Sequence, residues 1–383
     1  PVAISYLFIT DDDVTFLTDV NKVKYDLLKY FNTQKVDAYP IGLLKSVLSS
    51  HPKANKVLFD PTRTSATVAS YLGDRAVPGK FSIAEAKACK NEKQIEGIRN
   101  AMVRDGVALV KAFKEIDEIM VRGGNLTELD VSALLVKYRS EQALFFEESF
   151  GTIAAYGSNG AIVHYEPDES SNAVIRPEGL LLVDSGAQYL DGTTDITRTI
   201  CMGQPTEMEK HDFTLVMKGH IALAEMVFPQ GTYGMQLDAE ARKFLWREGL
   251  TYLHGTGHGV GQFLNVHEGP QQIRMNYIPA TLRVGMVTSN EPGLYRENIH
   301  GIRCENLLLC VKAMTTEFCD FLKFETLTLF PFDLHLFATE IMSEEEITWI
   351  NDYHTMVRER LSPYLTPDER AWLESKTAPL HKA

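Results

Sequence analysis

Ile95, Ile98, Met102, Leu109, Phe113, Ile116 and Met120 recur at helical spacing on one face, and Gly123-Gly124 ends the run. The pattern predicts a long amphipathic helix. A second helix is expected after Thr127, with Leu129, Leu135 and Tyr138 inward, followed by a β-rich stretch from Phe145 to Cys201. The helix pair then recurs. Thr206 and Glu209 make a capping box for a helix carrying Phe213, Met217, Ile221, Ala224 and Phe228, and another helix runs from about Gln236 to Glu248. Leu129-Asp130-Val131-Ser132-Ala133 aligns with Leu237-Asp238-Ala239-Glu240-Ala241, Tyr138-Arg139 with Trp246-Arg247, and Gly123 with Gly231, at one offset of 231 − 123 = 108. Chance likeness between amphipathic helices is one account. The other is an internally duplicated domain with pseudo-twofold halves, which would place a site at their junction.

Residues 1–80 mix β-rich runs (Ala3–Thr10, Val14–Leu17, Val57–Asp60) with helical stretches (Tyr25–Phe31, Ile41–Ser49), as in a small α/β unit with its exit at Gly73 to Lys80. Pro1 to Thr10 read as a strand and not a signal core, because no basic segment precedes them and Asp11, Asp12 and Asp13 follow at once. The opening without Met, in mid-strand, leads us to expect a longer protein trimmed at its N-terminus. From Phe330 the chain turns polar and helical (Glu344–Leu361, Pro367–Ser375). The expected domains are therefore 1–80, 81–329 and a C-terminal helical extension, 330–383. Trp349, Ile350, Tyr353, Trp372 and Leu373 are too few to form a core alone. They are expected to support self-association or to pack on the neighbouring domain.

At 383 residues the chain is long enough for two or three domains. With 44% apolar and 23% charged residues it has a soluble balance, and no apolar run approaches the roughly 20 residues that span a bilayer. A formal charge of −13 disfavours nucleic acid and anionic lipid. Cys89, Cys201, Cys304, Cys310 and Cys319 are scattered without a CxxC pair, which argues against a disulfide framework or zinc ribbon and for a reducing cytoplasm.

The candidate chemistry begins at Leu180-Leu181-Leu182-Val183-Asp184-Ser185-Gly186, a buried-strand pattern ending on a carboxylate. Asp195 follows 195 − 184 = 11 residues later across a turn at Leu190-Asp191-Gly192. A hairpin there brings Asp184 and Asp195 together, where they repel unless a cation lies between them; two ordinary turn aspartates are the plainer account. His258 stands in the glycine-dense His254-Gly255-Thr256-Gly257-His258-Gly259-Val260-Gly261, where the chain can pack closely round an ion. Glu291 precedes a Pro-Gly turn, and Glu305 opens the apolar strand Leu307–Val311. Each has an innocent reading alone. Together, two Asp, two Glu and one His suit two divalent cations bridged by carboxylates.

These motifs resemble the metallopeptidase family that includes methionine aminopeptidase, prolidase and aminopeptidase P. His254-Gly-Thr-Gly-His258-Gly-Val-Gly-Gln-Phe-Leu-Asn-Val-His267-Glu268 and Gly-Ala-Ile-Val-His164-Tyr165 are similar to the cytosolic, eukaryote-type Xaa-Pro aminopeptidases. Asn290 departs from the Asp frequent there, and Ser289 is a small variation. The resemblance implies an α+β protein: a pita-bread catalytic domain with an internal pseudo-twofold repeat, preceded by a smaller α/β creatinase-like domain. By that pattern 1–80 is the second domain of a three-domain protein whose first domain is absent.

The resemblance further implies a metal set of Asp184, Asp195, His258, Glu291 and Glu305, holding two divalent ions with manganese favoured over zinc or cobalt. It implies a hydroxide bridging the metals as nucleophile, Glu291 as proton acceptor, and His164 and His267 as partners of the substrate carbonyl and oxyanion. His254, Tyr295 and Arg303 are candidate substrate contacts, with a loop-fixing His, a core-filling or site-walling Tyr and an Arg paired to nearby carboxylates as the other readings. His211, His220, His300, His335 and His354 show no partner spacing and are read as structural or surface residues. The implied substrates are peptides with N-terminal Xaa-Pro, and the implied assembly is a homodimer. Prolidase and methionine aminopeptidase are the nearest alternatives, and a non-catalytic peptide-binding relative is the distant one. If a basic group such as Arg303 captured the proline carboxylate, only dipeptides would be cut.

Overall fold

The computed structural model describes residues 3–50, 55–79 and 83–382. Pro1, Val2 and Lys80, which fell within the expected first strand and exit segment, lie outside them. The chain forms two compact units, Pro1–Ile83 and Ala84–Ala383.

In the first unit, β1 (Ser5–Ile9) pairs antiparallel with β2 (Val14–Thr18), which pairs parallel with β3 (Val36–Pro40) after α1 (Tyr25–Thr33). Then come α2 (Leu44–Ser50), β4 (Val57–Phe59), α3 (Ala66–Leu72) and β5 (Ala76–Pro78), with β4 and β5 parallel. Phe8, Leu48 and Leu72 make its small core. The stretch read as one helix from Ile41 begins with a 3-10 turn at Ile41–Leu43.

The second unit is organised around two helix pairs. After α4 (Ile83–Ala88), α5 (Glu92–Val121) is capped by Asn91 and Gln94. It buries Ile98, Met102, Leu109, Phe113 and Ile116, as their spacing dictates. Gly123, at φ 70°, stops it where a Cβ would be strained. β6 (Leu126–Thr127) leads into α6 (Glu128–Ser140), whose buried face is Glu128, Val131, Leu135 and Arg139; Leu129 and Tyr138 are only half-buried. The buried Arg139 forks onto Asp105 of α5.

The second pair repeats the plan. α7 (Glu207–Ala224) opens on the Thr206 and Glu209 capping box, and Gly231, at φ 95°, precedes α8 (Gly234–Arg247). Phe228, expected on the helix, lies instead on β14 (Val227–Pro229). The helix caps at Glu225, and the chain leaves it to pair with the sheet.

Between the pairs run β7 (Phe145–Glu148), β8 (Ile153–Tyr156), β9 (Val174–Ile175), β10 (Leu180–Ser185), β11 (Ala187–Tyr189), β12 (Gly192–Thr193) and β13 (Ile196–Cys201). β10 is the centre of the sheet β13-β10-β8, which is why every one of its residues is buried. After α8 come β15 (Gly257–His258), β16 (Gln272–Ile273), β17 (Val287–Asn290), β18 (Gly293–Arg296), β19 (His300–Arg303), β20 (Asn306–Thr315) and β21 (Asp320–Thr326). β14-β21-β20-β17 form the second large sheet.

Residues 330–383 lie within this second unit, carrying α9 (Glu344–Leu361) and α10 (Pro367–Lys376). The apolar side chains expected to serve self-association face the chain's own core. Ile350 and Leu373 are fully buried, Tyr353 nearly so, and Trp372 donates to Asp117 of α5 at 2.9 Å. No helix among the described residues is long and apolar enough to cross a membrane.

Candidate metal centre

β10 and β13 run antiparallel with Asp184 opposite Thr197, and the β11–β12 turn at Leu190-Asp191 folds the chain back between them. Asp195 stands one residue before β13, so the hairpin delivers both aspartates to one end of the sheet. Gly186 makes the bend feasible, since a Cβ there would lie 2.0 Å from the Thr194 carbonyl oxygen.

Asp195, His258 and Glu305 present ligand atoms all within 4.8 Å of one another. His258 Nε2 is 3.5 Å from Asp195 Oδ2 and 3.4 Å from Glu291 Oε1. His258 Nδ1 lies 3.0 Å from the Gly259 carbonyl oxygen, so the proton belongs on Nδ1 and the Nε2 lone pair is aimed at the carboxylates. Glu291 Oε1 accepts from Ser289 Oγ at 3.1 Å, and Glu305 Oε2 accepts from Thr197 Oγ1 at 2.8 Å.

Burial pushes the Asp195 carboxyl well above the usual carboxylate range, with Asp184 and Glu291 adding to it, and Glu305 is raised for the same reason beside Asp195. Glu291 is raised by burial too, against the pull of His258. Asp184 is held by Arg303, whose Nη2 and Nε lie 2.6 and 3.1 Å from Oδ2. Asp184 Oδ1 is buried with no hydrogen-bond partner among the described residues. Four carboxylates thus share one guanidinium. An orphaned carboxylate oxygen, two strongly raised carboxyls and an aimed imidazole lone pair fit hard divalent cations.

The set opens on a cavity of about 690 Å³, also lined by His164, His254, His267 and Arg303. His267 packs edge-on to His258 with ring centres 4.1 Å apart, and its pKa is lowered to about 4 by desolvation and the neighbouring imidazole. Tyr295, half-buried and not itself a lining residue, bonds two residues that are. Its hydroxyl accepts from Arg303 Nη1 at 2.7 Å and donates to His254 Nε2 at 2.8 Å, while His254 Nδ1 donates to the Gly255 carbonyl. The His254 pKa is lowered to about 4 by burial and by Arg303, in keeping with that neutral tautomer.

Residues 96–312 match the profile of metallopeptidase family M24, residues 320–380 that of the C-terminal region of the M24 peptidases, and residues 1–94 that of the creatinase/prolidase N-terminal domain. The chain belongs to metallopeptidase family M24. A protein of Arthroderma gypseum named "Probable Xaa-Pro aminopeptidase P" is 41% identical over 99% of this chain and 62% of its own length. Aminopeptidase P2 of Arabidopsis thaliana is 38% identical over 100% of this chain and 59% of its own length. The chain therefore spans about three fifths of these curated relatives. The solved X-prolyl aminopeptidase of Caenorhabditis elegans, described as a cytosolic enzyme with a di-nuclear active site, superposes with a TM-score of 0.93. It is 36% identical, covering 99% of this chain and 64% of that one. The M24 unit has the pita-bread fold, its repeat being the two helix pairs, and a creatinase-like domain precedes it.

Two features of this M24 site carry no signal in the sequence. Arg274 lines the cavity and donates to Gln272 Oε1 at 3.1 Å, within a segment without a motif. Glu128, at the start of α6 and fully buried, accepts from Tyr156 N, Asn159 Nδ2, Tyr165 Oη and Ala173 N at 2.7, 2.9, 2.7 and 2.8 Å. It thereby ties down the loop that presents His164. A carboxylate three residues before an apolar helix face reads as an ordinary first-turn residue, and its four donors lie 28 to 45 residues away.

Proposed function

We propose that this chain hydrolyses the bond between an N-terminal residue and a penultimate proline, as a metal-dependent Xaa-Pro aminopeptidase. The convergence of Asp184, Asp195, His258, Glu291 and Glu305 on one cavity carries the reading. The identity to relatives named for that activity supports it. These five side chains would hold two divalent ions. Bound there, such ions lower the pKa of water from about 15.7 to about 7 and polarise a carbonyl.

The chain's own groups supply the rest. Glu291, its carboxyl raised by burial, takes up a proton and returns it to the prolyl nitrogen, which has no N–H of its own and leaves poorly without one. His164 and His267, on the cavity wall, donate to the substrate carbonyl oxygen and to the oxyanion that develops from it. Arg303, Tyr295 and His254 shape the wall. Their hydrogen bonds run to Asp184, to one another and to Gly255, so Arg303 is not free to capture a proline carboxylate. That favours cleavage of peptides longer than two residues over a prolidase restricted to dipeptides.

Manganese is the proposed metal, with zinc or cobalt as alternatives, since the oxygen-rich set with one imidazole accepts all three. A cytoplasmic setting agrees with five free cysteines and with the description of the C. elegans enzyme. A homodimer would have to use a surface other than the buried tail side chains. The deciding assay compares Arg-Pro-Pro, Ala-Pro, Met-Ala-Ser and Leu-Gly-Gly with Mn²⁺ present. Release of Arg from Arg-Pro-Pro is expected. Cleavage of Met-Ala-Ser with Arg-Pro-Pro untouched would turn the reading to methionine removal, and cleavage of Ala-Pro alone would make it a prolidase.

A further inference from the structure

Arg198 of β13 is buried with no carboxylate partner among the described residues, and all five of its N–H groups are spent on groups that frame Glu305 and the C-terminal segment. Nη1 donates to the carbonyl oxygens of Glu305 and Thr197 at 2.6 and 2.9 Å. Nη2 reaches Asn306 Oδ1 at 2.8 Å, Phe330 O at 2.6 Å and Tyr353 Oη at 2.9 Å, and Nε donates to Pro331 O at 3.0 Å. The guanidinium lies 4.0 Å over the Phe332 ring. One planar cation therefore joins the backbone of a metal-site carboxylate to three consecutive residues of the tail and to a tyrosine of α9.

Glu305 is gripped on both sides. His220 Nδ1 donates to Cys304 O at 3.2 Å, and its Nε2 accepts from Asn306 Nδ2 at 3.3 Å. The Tyr353 hydroxyl, besides accepting from Arg198, lies 3.0 Å from both Thr328 O and Phe330 O, and its ring stacks on Trp349 at 5.4 Å. Among the described residues the Glu305 carboxylate accepts from Thr197 Oγ1 and meets the Asp195 carboxyl, itself a candidate ligand, so its position depends on the backbone these groups fix.

We propose that Arg198 and Tyr353 are positioning residues through which the segment 330–361 holds Glu305 in register with Asp195 and His258. This rests on the reading of those residues as metal ligands. The tail is on this view a brace for the metal site. It acts through a guanidinium because only a planar fork can satisfy that many acceptors without a counter-charge.

The test is Mn²⁺ affinity, titrated against a competing chelator, in the wild type, in Tyr353→Phe and in Leu373→Ala. Tyr353→Phe keeps the ring stack and deletes the hydroxyl; Leu373→Ala opens a cavity in α10 and removes none of the hydrogen bonds of Arg198 or Tyr353. Tyr353→Phe should weaken Mn²⁺ binding about tenfold, the low end of what outer partners of metal ligands contribute, with Leu373→Ala binding as the wild type despite a lower melting temperature. Wild-type affinity in a folded Tyr353→Phe, or equal weakening in both variants, overturns the brace. Should Tyr353→Phe not fold, Asn306→Ala takes its place under the same criteria. Absence of Mn²⁺ binding in the wild type would overturn the metal reading itself and the brace with it.

Discussion

Arg303 places two of its N–H groups on one oxygen of Asp184, leaving the other buried and unpartnered among the described residues. The pairing fixes the carboxylate plane and keeps one oxygen free for a ligand role. It also explains why a fully buried arginine stands beside a candidate metal site: it offsets one carboxylate of four and leaves three to be balanced by cations.

Arg303→Lys should keep the charge and lose the fork, because an ammonium group cannot hold the Asp184 plane and the Tyr295 hydroxyl together. We expect divalent-metal affinity to fall about ten- to hundredfold, measured by chelator competition. An unchanged affinity would show that the fork does not orient Asp184 for binding.

Metal binding should release protons. Asp195 and Glu305 are raised in the metal-free site, and a cation binds their ionised forms. Raised carboxyls hold protons in the metal-free fold that the unfolded chain has already lost, so their effect is to make that fold less stable as pH rises. The gain in melting temperature on adding Mn²⁺ should therefore widen from pH 6 to pH 8. A gain that is flat or narrowing over that interval would contradict the raised values.

His354 gives a dependence of opposite sign. Burial, with Arg198 nearby, lowers its pKa from 6.5 to about 3, and its Nε2 accepts from Phe332 N at 3.0 Å. A group depressed in the fold contributes stability that is fully present above its unfolded pKa and is lost as pH falls toward the folded one. At pH 5 the loss from this one group is about 2 kcal/mol. Metal-free His354→Gln should be weaker than the wild type at pH 7 and lose less on acidification to pH 5, read from urea midpoints. Equal losses in both proteins would remove His354 from the acid response.

Much of this was legible in the sequence where contacts are local. The helices announced themselves through apolar spacing and capping boxes, and the Asp184 to Asp195 hairpin through a strand, a turn and a strand. The 108-residue offset is visible because Gly123 and Gly231 both take positive φ in the link that leads to the second helix of each pair. What stayed hidden joins distant parts of the chain. Arg198 carries no mark in the sequence, because its partners lie up to 155 positions away. The tail's aromatic residues looked unpartnered for want of a visible core, and they complete the core of the second unit. Tyr295, Arg303 and His254 were each legible as candidates, but which group each one holds is set by three strands and a loop meeting.

Glu128 offers the sharpest test of how the His164 loop is held. Its carboxylate accepts four hydrogen bonds in full burial, two from backbone N–H groups and two from Asn159 and Tyr165. Glu128→Gln would keep the shape and turn one acceptor oxygen into a donor facing Tyr165 or Ala173, leaving buried donors opposed. Hydrogen bonds to a charged group contribute about 1.5–3 kcal/mol each, so a loss of about 2–4 kcal/mol in stability is expected. If the staple also positions His164, kcat on Arg-Pro-Pro should fall at least tenfold with Mn²⁺ affinity unchanged, because none of the five candidate metal ligands is among the hydrogen-bond partners of Glu128. A destabilised variant with wild-type kcat would confine Glu128 to the fold, whereas reduced Mn²⁺ binding would show that the loop and the metal site are not independent.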